Sequence, residues 1–342
     1  MAKITLGSTG ITTEQNAFGA LPIQRRSRED AVKLLRRAFD GGMTYFDTAR
    51  AYSDSEEKLG VAFSGMRDKI FIATKTGATT PDGFWSDLEM SLRLLRTDYI
   101  DVYQFHNPKI CFKPDDGTGM YECMLKAKEQ GKIRHIGFTN HLLANAHACI
   151  DSGLYETLQF PFSYLASEKE IELVEKCKAA NMGFVAMKGL AGGLIHNSAA
   201  AFAYVALYPN VLPIWGIQHS YELEEFLRYF DNPPAMTPEL EQVIAHDREE
   251  LVGDFCRGCG YCMPCTVGIQ INNCARISLM LRRAPSAGWL SDEWQAEMKK
   301  IENCVDCGLC KSRCPYGLDT PALLRKNYED YQRVLSGQTS VD

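Results

Sequence analysis

The chain has 342 residues, 45% of them hydrophobic and 23% charged, with a formal net charge of −6 at pH 7. It can bury a sizeable core, and an acidic balance with no basic excess excludes nucleic acid as an expected partner. Met1-Ala-Lys-Ile-Thr-Leu-Gly lacks the apolar run of a secretory signal, so thirteen cysteines in this acidic protein point to the cytoplasm rather than to a disulfide framework.

The chain opens with a hairpin signal: Lys3 to Leu6, a turn at Gly7-Ser8-Thr9-Gly10, then Ile11 onward. Short apolar runs then predict strands at Ala17–Ala20, Thr44–Asp47, Ile70–Lys75, Ile100–Phe105, Ile133–Phe138, Thr157–Phe160, Gly183–Met187 and Val211–Ile217. Between them, amphipathic periodicity predicts helices such as Arg28–Asp40, Glu56–Phe63, Phe84–Leu95, Met120–Gln130 and Glu168–Asn181. The uncharged stretch Ser198–Ile217 approaches the roughly 20 residues of a membrane span. Pro209, Asn210 and Pro213 interrupt it, so it reads as a helix, a turn and a buried strand, and no membrane partner is expected.

Eight strand-then-helix units over about 230 residues have the rhythm of a (β/α)8 TIM barrel. A doubly wound open sheet is the alternative, but no G-x-G-x-x-G opens the first unit. The run Asn232-Pro233-Pro234-Ala235-Met236-Thr237-Pro238 breaks the rhythm and reads as a boundary, giving a barrel over residues 1–235 and a second domain over 236–342. Its tail, Ser336–Asp342, reads as frayed.

The second domain carries two tight cysteine runs: Cys256, Cys259, Cys262 and Cys265, then Cys304, Cys307, Cys310 and Cys314 followed by Pro315. The latter is C-x2-C-x2-C-x3-C-P, the spacing with which a chain wraps a 4Fe-4S cluster. Zinc needs only four ligands, usually as two separated C-x2-C knuckles, and leaves the remaining cysteines of each run without a reason. In two-cluster ferredoxins the fourth cysteine of each run ligates the other cluster. By that rule Cys256, Cys259, Cys262 and Cys314 hold one cluster, and Cys304, Cys307, Cys310 and Cys265 the other. The first run has two residues before its last cysteine and Thr266 where proline is expected, so Cys274 is a reserve candidate. The 38 residues between the runs include helix-like Asn272–Arg283 and Ser291–Ile301, which favours a mainly helical ferredoxin-like module. Cys111, Cys123, Cys149 and Cys177 read as packing thiols.

On a barrel, chemistry sits where strands end and loops begin, on the C-terminal face. Asp47 ends the second predicted strand and Tyr52 lies in the loop after it; Lys75 ends the third; His106 follows the fourth. Four titratable groups of complementary kinds thus converge on one rim.

Those residues carry a resemblance. Phe46-Asp47-Thr48-Ala49-Arg50-Ala51-Tyr52-Ser53-Asp54-Ser55-Glu56 resembles the aldo/keto reductase signature, and Lys75 and His106 match the rest of that family's tetrad. The resemblance runs from the hairpin to about Phe230. It implies reduction of a small carbonyl, or oxidation of an alcohol, with Tyr52 as general acid and base. A phenol's pKa near 10 makes it a poor acid at neutral pH; Lys75, steadied by Asp47, is expected to lower it, and His106 to orient the carbonyl oxygen. The resemblance further implies NADPH or NADH, with the carboxamide held by Thr139, Asn140 and Gln159, and other cofactor contacts at Ala20, Asp47, Met187, Lys188 and Leu190. Downstream, the C-terminal part resembles the iron–sulfur extension of a bacterial and archaeal branch of that family.

Where the family often carries basic residues for a 2′-phosphate, this chain reads Gln218-His219-Ser220-Tyr221-Glu222-Leu223-Glu224-Glu225, with Arg228 as the nearby cation. Acidic residues there suit a free ribose hydroxyl better than a phosphate. Two rival readings stay open. Hydride carries two electrons and a cluster one, so the chain could instead be an electron-transfer subunit relaying electrons to a flavoprotein redox partner, the barrel holding substrate. Alternatively the clusters are structural staples.

Overall fold

The computed structural model describes residues 1–251, 255–258, 260–283, 286–314 and 316–340. Cys259, Pro315 and the last two residues of the tail lie outside the described residues.

An antiparallel hairpin comes first, β1 (Lys3–Thr5) with β2 (Thr12–Glu14). Its turn runs against the barrel wall, where Gly7 bridges Met182. Gly7 has φ +50°, and a Cβ there would lie 2.4 Å from the Gly183 nitrogen, so only glycine fits. Ile4, Leu6 and Ile11 join Tyr45, Ala73, Val102, Val185 and Leu212 in one buried cluster, so the hairpin is packed onto barrel-strand side chains.

Eight parallel strands follow: β3 (Ala17–Gly19), β4 (Tyr45–Asp47), β5 (Phe71–Thr76), β6 (Ile100–His106), β7 (Ile133–Thr139), β8 (Thr157–Pro161), β9 (Gly183–Met187) and β10 (Val211–Gly216). They close in that order, with β10 paired to β3, so the open-sheet alternative is excluded. The strands are buried almost throughout, as both faces of a covered parallel sheet require. Ala20 falls just outside β3; its N–H donates to the Asp47 carbonyl at 2.8 Å.

The barrel helices are α1 (Arg28–Asp40), α2 (Ser55–Ala62), α3 (Pro81–Leu95), α4 (Met120–Glu129), α5 (Leu143–Ser152), α6 (Glu168–Ala179), α7 (Ser198–Ala206) and α8 (Ser220–Asp231). Local chemistry fixes their starts. Ser27 Oγ accepts from Asp30 N at 3.1 Å, and Thr80 Oγ1 from Gly83 N at 3.3 Å just ahead of Pro81. The Thr80 cap explains why α3 begins earlier than its apolar periodicity suggests. Stops are less uniform: Gly153 and Asn181 take the expected left-handed conformation, but so does Arg96 after α3. Cys123, Cys149 and Cys177 are buried as expected of packing thiols, whereas Cys111, in the β6–α4 connection, is only partly buried.

One ion-pair cluster on the barrel makes an acid-stability prediction. Burial alone would raise the Glu156 carboxyl, but hydrogen bonds from His135 Nδ1 (2.7 Å), Lys128 Nζ (2.7 Å) and Ile136 N (2.9 Å) outweigh it and hold it at about 2. A depressed carboxylate stabilises the fold above its unfolded pKa, and that gain is lost as pH falls through the folded one. Glu156→Gln is expected to cost about 1–2 kcal/mol at pH 7 after allowance for solvent screening of a half-buried group. Denaturant titrations should show the difference from wild type closing between pH 4.5 and about 2; a constant difference across that window counts against the assignment.

The chain contacts separate two compact units, 1–189 with 198–237, and 190–197 with 238–342. The short segment after β9 thus groups with the C-terminal unit. That unit contains α9 (Pro238–Leu251), α10 (Ile271–Cys274), α11 (Ile277–Arg283), α12 (Asp292–Lys299), α13 (Leu309–Ser312) and α14 (Thr320–Leu335), and no strand among its described residues. The expected helix from Asn272 divides at Ala275-Arg276 into α10 and α11. Ile269, Ile271, Ile277, Leu281, Met298, Leu324 and Tyr331 form its core together with Cys256, Cys262 and Cys310. The tail is not frayed through Thr339: Gly337, Gln338 and Thr339 donate to the Val334 and Arg333 carbonyls and cap α14. No helix among the described residues is long and apolar enough to cross a membrane.

Candidate active site and cysteine cavities

At the C-terminal rim of the barrel, register sets the site. Asp47 pairs with Ala73, Lys75 with Gln104, and His106 with Thr139, which in turn pairs with Gln159. Lys75 Nζ lies 2.6 Å from Asp47 Oδ1 and 2.6 Å from the Thr48 carbonyl, and both side chains are almost fully buried. Gln104 and Gln159 each donate an amide N–H to the Asp47 carboxylate at 3.4 Å. Burial pushes Asp47 up and Lys75 down, each opposed by the other's charge. Thr48 Oγ1 meets Ser55 Oγ at 2.8 Å, and Ser55 Oγ donates to the Ala20 carbonyl at 3.0 Å, which ties the Tyr52 loop to the ends of β3 and β4.

The Tyr52 ring sits edge-on to His106, with centroids 5.8 Å apart, and Lys75 Nζ is 5.3 Å from its centre. The four rim residues are therefore together. The expected lowering of Tyr52 is reversed: burial first, then the Asp47 charge, raises it well above an ordinary phenol. Asp47 neutralises the ammonium that was to favour the phenolate, and burial penalises the anion. His106 is held down to about 3 by burial and by Lys75, so its ring is neutral at physiological pH.

The predicted cofactor contacts divide. Gln159 is buried, and its Oε1 has no hydrogen-bond partner among the described residues. Thr139 Oγ1 donates to the Gln159 carbonyl at 3.2 Å. Asn140 is engaged by two loops: Nδ2 donates to the Pro108 carbonyl in the connection after β6, and Oδ1 accepts from His141 N and Leu142 N in its own. Met187 ends β9, Lys188 follows with φ +59°, and Leu190 belongs to the other compact unit. After β10, Glu222 Oε2 accepts from Gln218 N (2.7 Å) and His219 N (2.8 Å), and Glu224 pairs with Arg37. Both acids thus have structural partners and are not open acceptors for a ribose hydroxyl.

Sequence reasoning missed Gln104 and His141. Gln104 lies two residues before His106 and so on the same face of β6, an alternation that could have found it. His141, held down to about 3 by burial, Lys188 and His106, follows β7 inside a loop where no periodicity operates. Arg50 and buried Glu56 form an ion pair behind the Tyr52 loop, and Thr74 Oγ1 donates to Glu56 at 2.7 Å.

In the C-terminal unit the cysteines line two small cavities. Cys256, Cys262 and Cys314 share one with Arg257, Tyr316 and Leu323. Cys265, Cys304, Cys307 and Cys310 share the other, which Cys262 also borders. Cys274 lines neither; it is fully buried and its thiol is pushed up to about 12 by burial. The Leu309 N–H and the Thr266 hydroxyl lower Cys307 and so favour its thiolate. Among the described residues no three donor side chains are placed to hold a single metal ion. Thiols spread around two cavities fit a polynuclear group, whose ligands need not crowd one centre.

Comparison with known sequences and structures agrees with the barrel and with a cysteine-rich second domain. The aldo/keto reductase family profile matches residues 3–201, and a 4Fe-4S dicluster domain matches residues 255–319. Aldo-keto reductase YhdN of Bacillus subtilis is 28% identical over 214 residues, which cover 57% of this chain and 64% of that protein. The 6-dehydroglucose reductase of Novosphingobium aromaticivorans is 30% identical over 155 residues, 40% of this chain and 50% of that protein. The chain thus spans between half and two thirds of these relatives. Two solved structures share the fold: aldo-keto reductase AKR11C1 from Bacillus halodurans in its holo form, with a TM-score of 0.64 and 20% identity over 72% of this chain and 96% of that one; and an aldo-keto reductase from Klebsiella pneumoniae in complex with NADPH, at 0.60 and 23% over 72% and 95%.

Proposed function

Because the chain belongs to the aldo/keto reductase family and is an oxidoreductase with an iron–sulfur domain, we propose that it reduces a small carbonyl compound, or oxidises the matching alcohol, with NADH or NADPH. In this reading Tyr52 is the general acid and base, and the C-terminal unit holds two 4Fe-4S clusters. The observation that carries it is the gathering of Tyr52, His106 and the Lys75–Asp47 pair at one barrel rim.

The nicotinamide, when bound, supplies the hydride. Gln159, with its open carbonyl oxygen, would hold the carboxamide N–H, Thr139 buttresses Gln159, and Met187 and Lys188 would border the cofactor from the end of β9. His106, neutral, donates one ring N–H to the carbonyl oxygen and orients it. Hydride arrival makes that oxygen an alkoxide, far more basic than a phenolate, so a phenol with a raised pKa still yields its proton. Tyr52 gives up that proton, and the Lys75 ammonium then faces the phenolate, held in place by Asp47 and the Thr48 carbonyl. The buried Asp47–Lys75 pair therefore steadies the base that forms late rather than a phenolate at rest.

Cys256, Cys259, Cys262 and Cys314 hold one cluster; Cys304, Cys307, Cys310 and Cys265 hold the other, since Cys274 lines neither cavity. The clusters, when bound, supply one-electron transfer. Anaerobic purification with iron, sulfide and flavin analysis, followed by a carbonyl screen with both nicotinamides, tests the reading. Turnover with a nicotinamide supports it. Bound flavin, electrons accepted from dithionite and no nicotinamide turnover make the chain the electron-transfer subunit instead.

A further inference from the structure

Arg276 stands between α10 and α11, where Leu279 N and Met280 N donate to its carbonyl. Its side chain turns back under the first cysteine run. A Cβ at Gly258, two residues after Cys256 and with φ +66°, would lie 2.8 Å from the Arg276 Cζ; a Cβ at Gly192 would lie 3.0 Å from its Nη1. Two glycine backbones thus leave the space in which the guanidinium lies. Its Nε has no hydrogen-bond partner and no carboxylate pairs with the group among the described residues. Gly258 N also donates to Cys256 Sγ at 3.4 Å, so the guanidinium packed against Gly258 lies close to that sulfur. Burying a cation without an acid partner is costly, and an anionic group beside it removes that cost.

The second cavity is different. The cation nearest in kind, Arg325, is exposed and paired through both carboxylate oxygens of Asp306 at 2.8 Å, so its field is compensated and screened by water. At the first cavity Arg257 stacks 4.2 Å over Tyr316 and is half-exposed, whereas Arg276 is half-buried against Gly258 and makes no carboxylate pair among the described residues.

We propose that Arg276 is the counter-charge of the cluster bound by Cys256, Cys262 and Cys314, and that it raises the reduction potential of that cluster alone. The inference rests on the two-cluster reading above. Reduction adds one negative charge to the cluster, and a half-buried positive charge close to a ligand sulfur stabilises the reduced form more than the oxidised one. The residue acts on the equilibrium between two cluster states, not on substrate.

The test is a potentiometric titration of the full chain followed by electron paramagnetic resonance, with iron and sulfide counted in each sample. Arg276→Gln is expected to lower the reduction equilibrium constant of one cluster at least tenfold, 59 mV for one electron, and to leave the other in place. Arg276→Lys, which keeps the charge, should stay within threefold of wild type. Full iron with both potentials unmoved in Arg276→Gln overturns the inference and leaves the two-cluster reading intact; wild-type protein without iron and sulfide overturns both. A lysine variant that falls as far as the glutamine variant shows lost packing rather than lost charge and also overturns it. Should Arg276→Gln not load, Arg276→Met keeps the unbranched stem and is the second neutral variant. Clusters held by the lysine variant and by neither neutral one support the proposal, and loss in all three refutes it.

Discussion

Tyr52→Phe is expected to lower carbonyl reduction by roughly 10²–10⁴-fold, the range of a positioned general acid, while nicotinamide binding and cluster content stay at wild-type levels. The substitution deletes one hydroxyl and keeps the ring, so the edge contact with His106 and the approach of Lys75 to the ring face persist. The proton for the alkoxide must then come from water, which the buried site admits poorly. If the acid acts in the transition state, kcat and kcat/KM fall together and the nicotinamide Kd is unmoved. A phenylalanine variant with wild-type turnover would remove Tyr52 from the chemistry. Because burial and Asp47 raise Tyr52, the wild-type reduction rate should also show no loss from Tyr52 ionisation up to pH 10. A fall near neutrality assigned to this group would mean that bound cofactor or substrate reverses the electrostatics of the rim.

Much of this site was legible because it depends on strand ends, and strand ends are marked by where apolar runs stop. Asp47, Lys75 and His106 each close or nearly close such a run, so their convergence followed from the barrel alone. The sign of the Tyr52 shift was not legible, since it depends on whether the Lys75 charge is free. Only the 2.6 Å contact with Asp47 shows that it is neutralised. Nor could the sequence say that Glu222 caps α8 and that Asn140 is engaged by its own loop: both are polar residues whose short-range partners are backbone atoms. In the C-terminal unit the spacing of the cysteines was informative and their partition was a rule. Cys265 borders the same cavity as the second run, and Cys274 lies in the core away from both cavities. The break at Ala275-Arg276 was hidden in a continuous helical pattern, and it is that break which frees Arg276 to turn under the first run.

Loss of the clusters is expected to unfold the C-terminal unit and spare the barrel. Anaerobically prepared protein should contain about eight iron and eight acid-labile sulfide per chain. Cys256→Ala and Cys307→Ala should each retain about four of each, and Cys274→Ala all eight. The structural consequence follows from where the thiols lie: Cys256, Cys262 and Cys310 belong to the buried core of a unit built from short helices with no strand among its described residues. Binding free energy in such a unit is folding free energy. Removing iron with a chelator under air should therefore make residues 238–342 rapidly cleavable by protease, while the barrel keeps its circular dichroism and its melting transition. The same preparation separates the two roles of the clusters. If they conduct, dithionite-reduced wild type passes electrons to a dye without nicotinamide, and Cys307→Ala abolishes that route while sparing nicotinamide-dependent turnover. If they only staple the unit, Cys307→Ala lowers the stability of that unit while the barrel's turnover persists, and the wild type passes no electrons. If the unit holds two clusters as proposed, a half-buried guanidinium beside one cavity and a compensated surface pair near the other would make them differ electrically in a way that stapling does not need. That asymmetry favours conduction, and a dye reduction rate unchanged by Cys307→Ala would refute it.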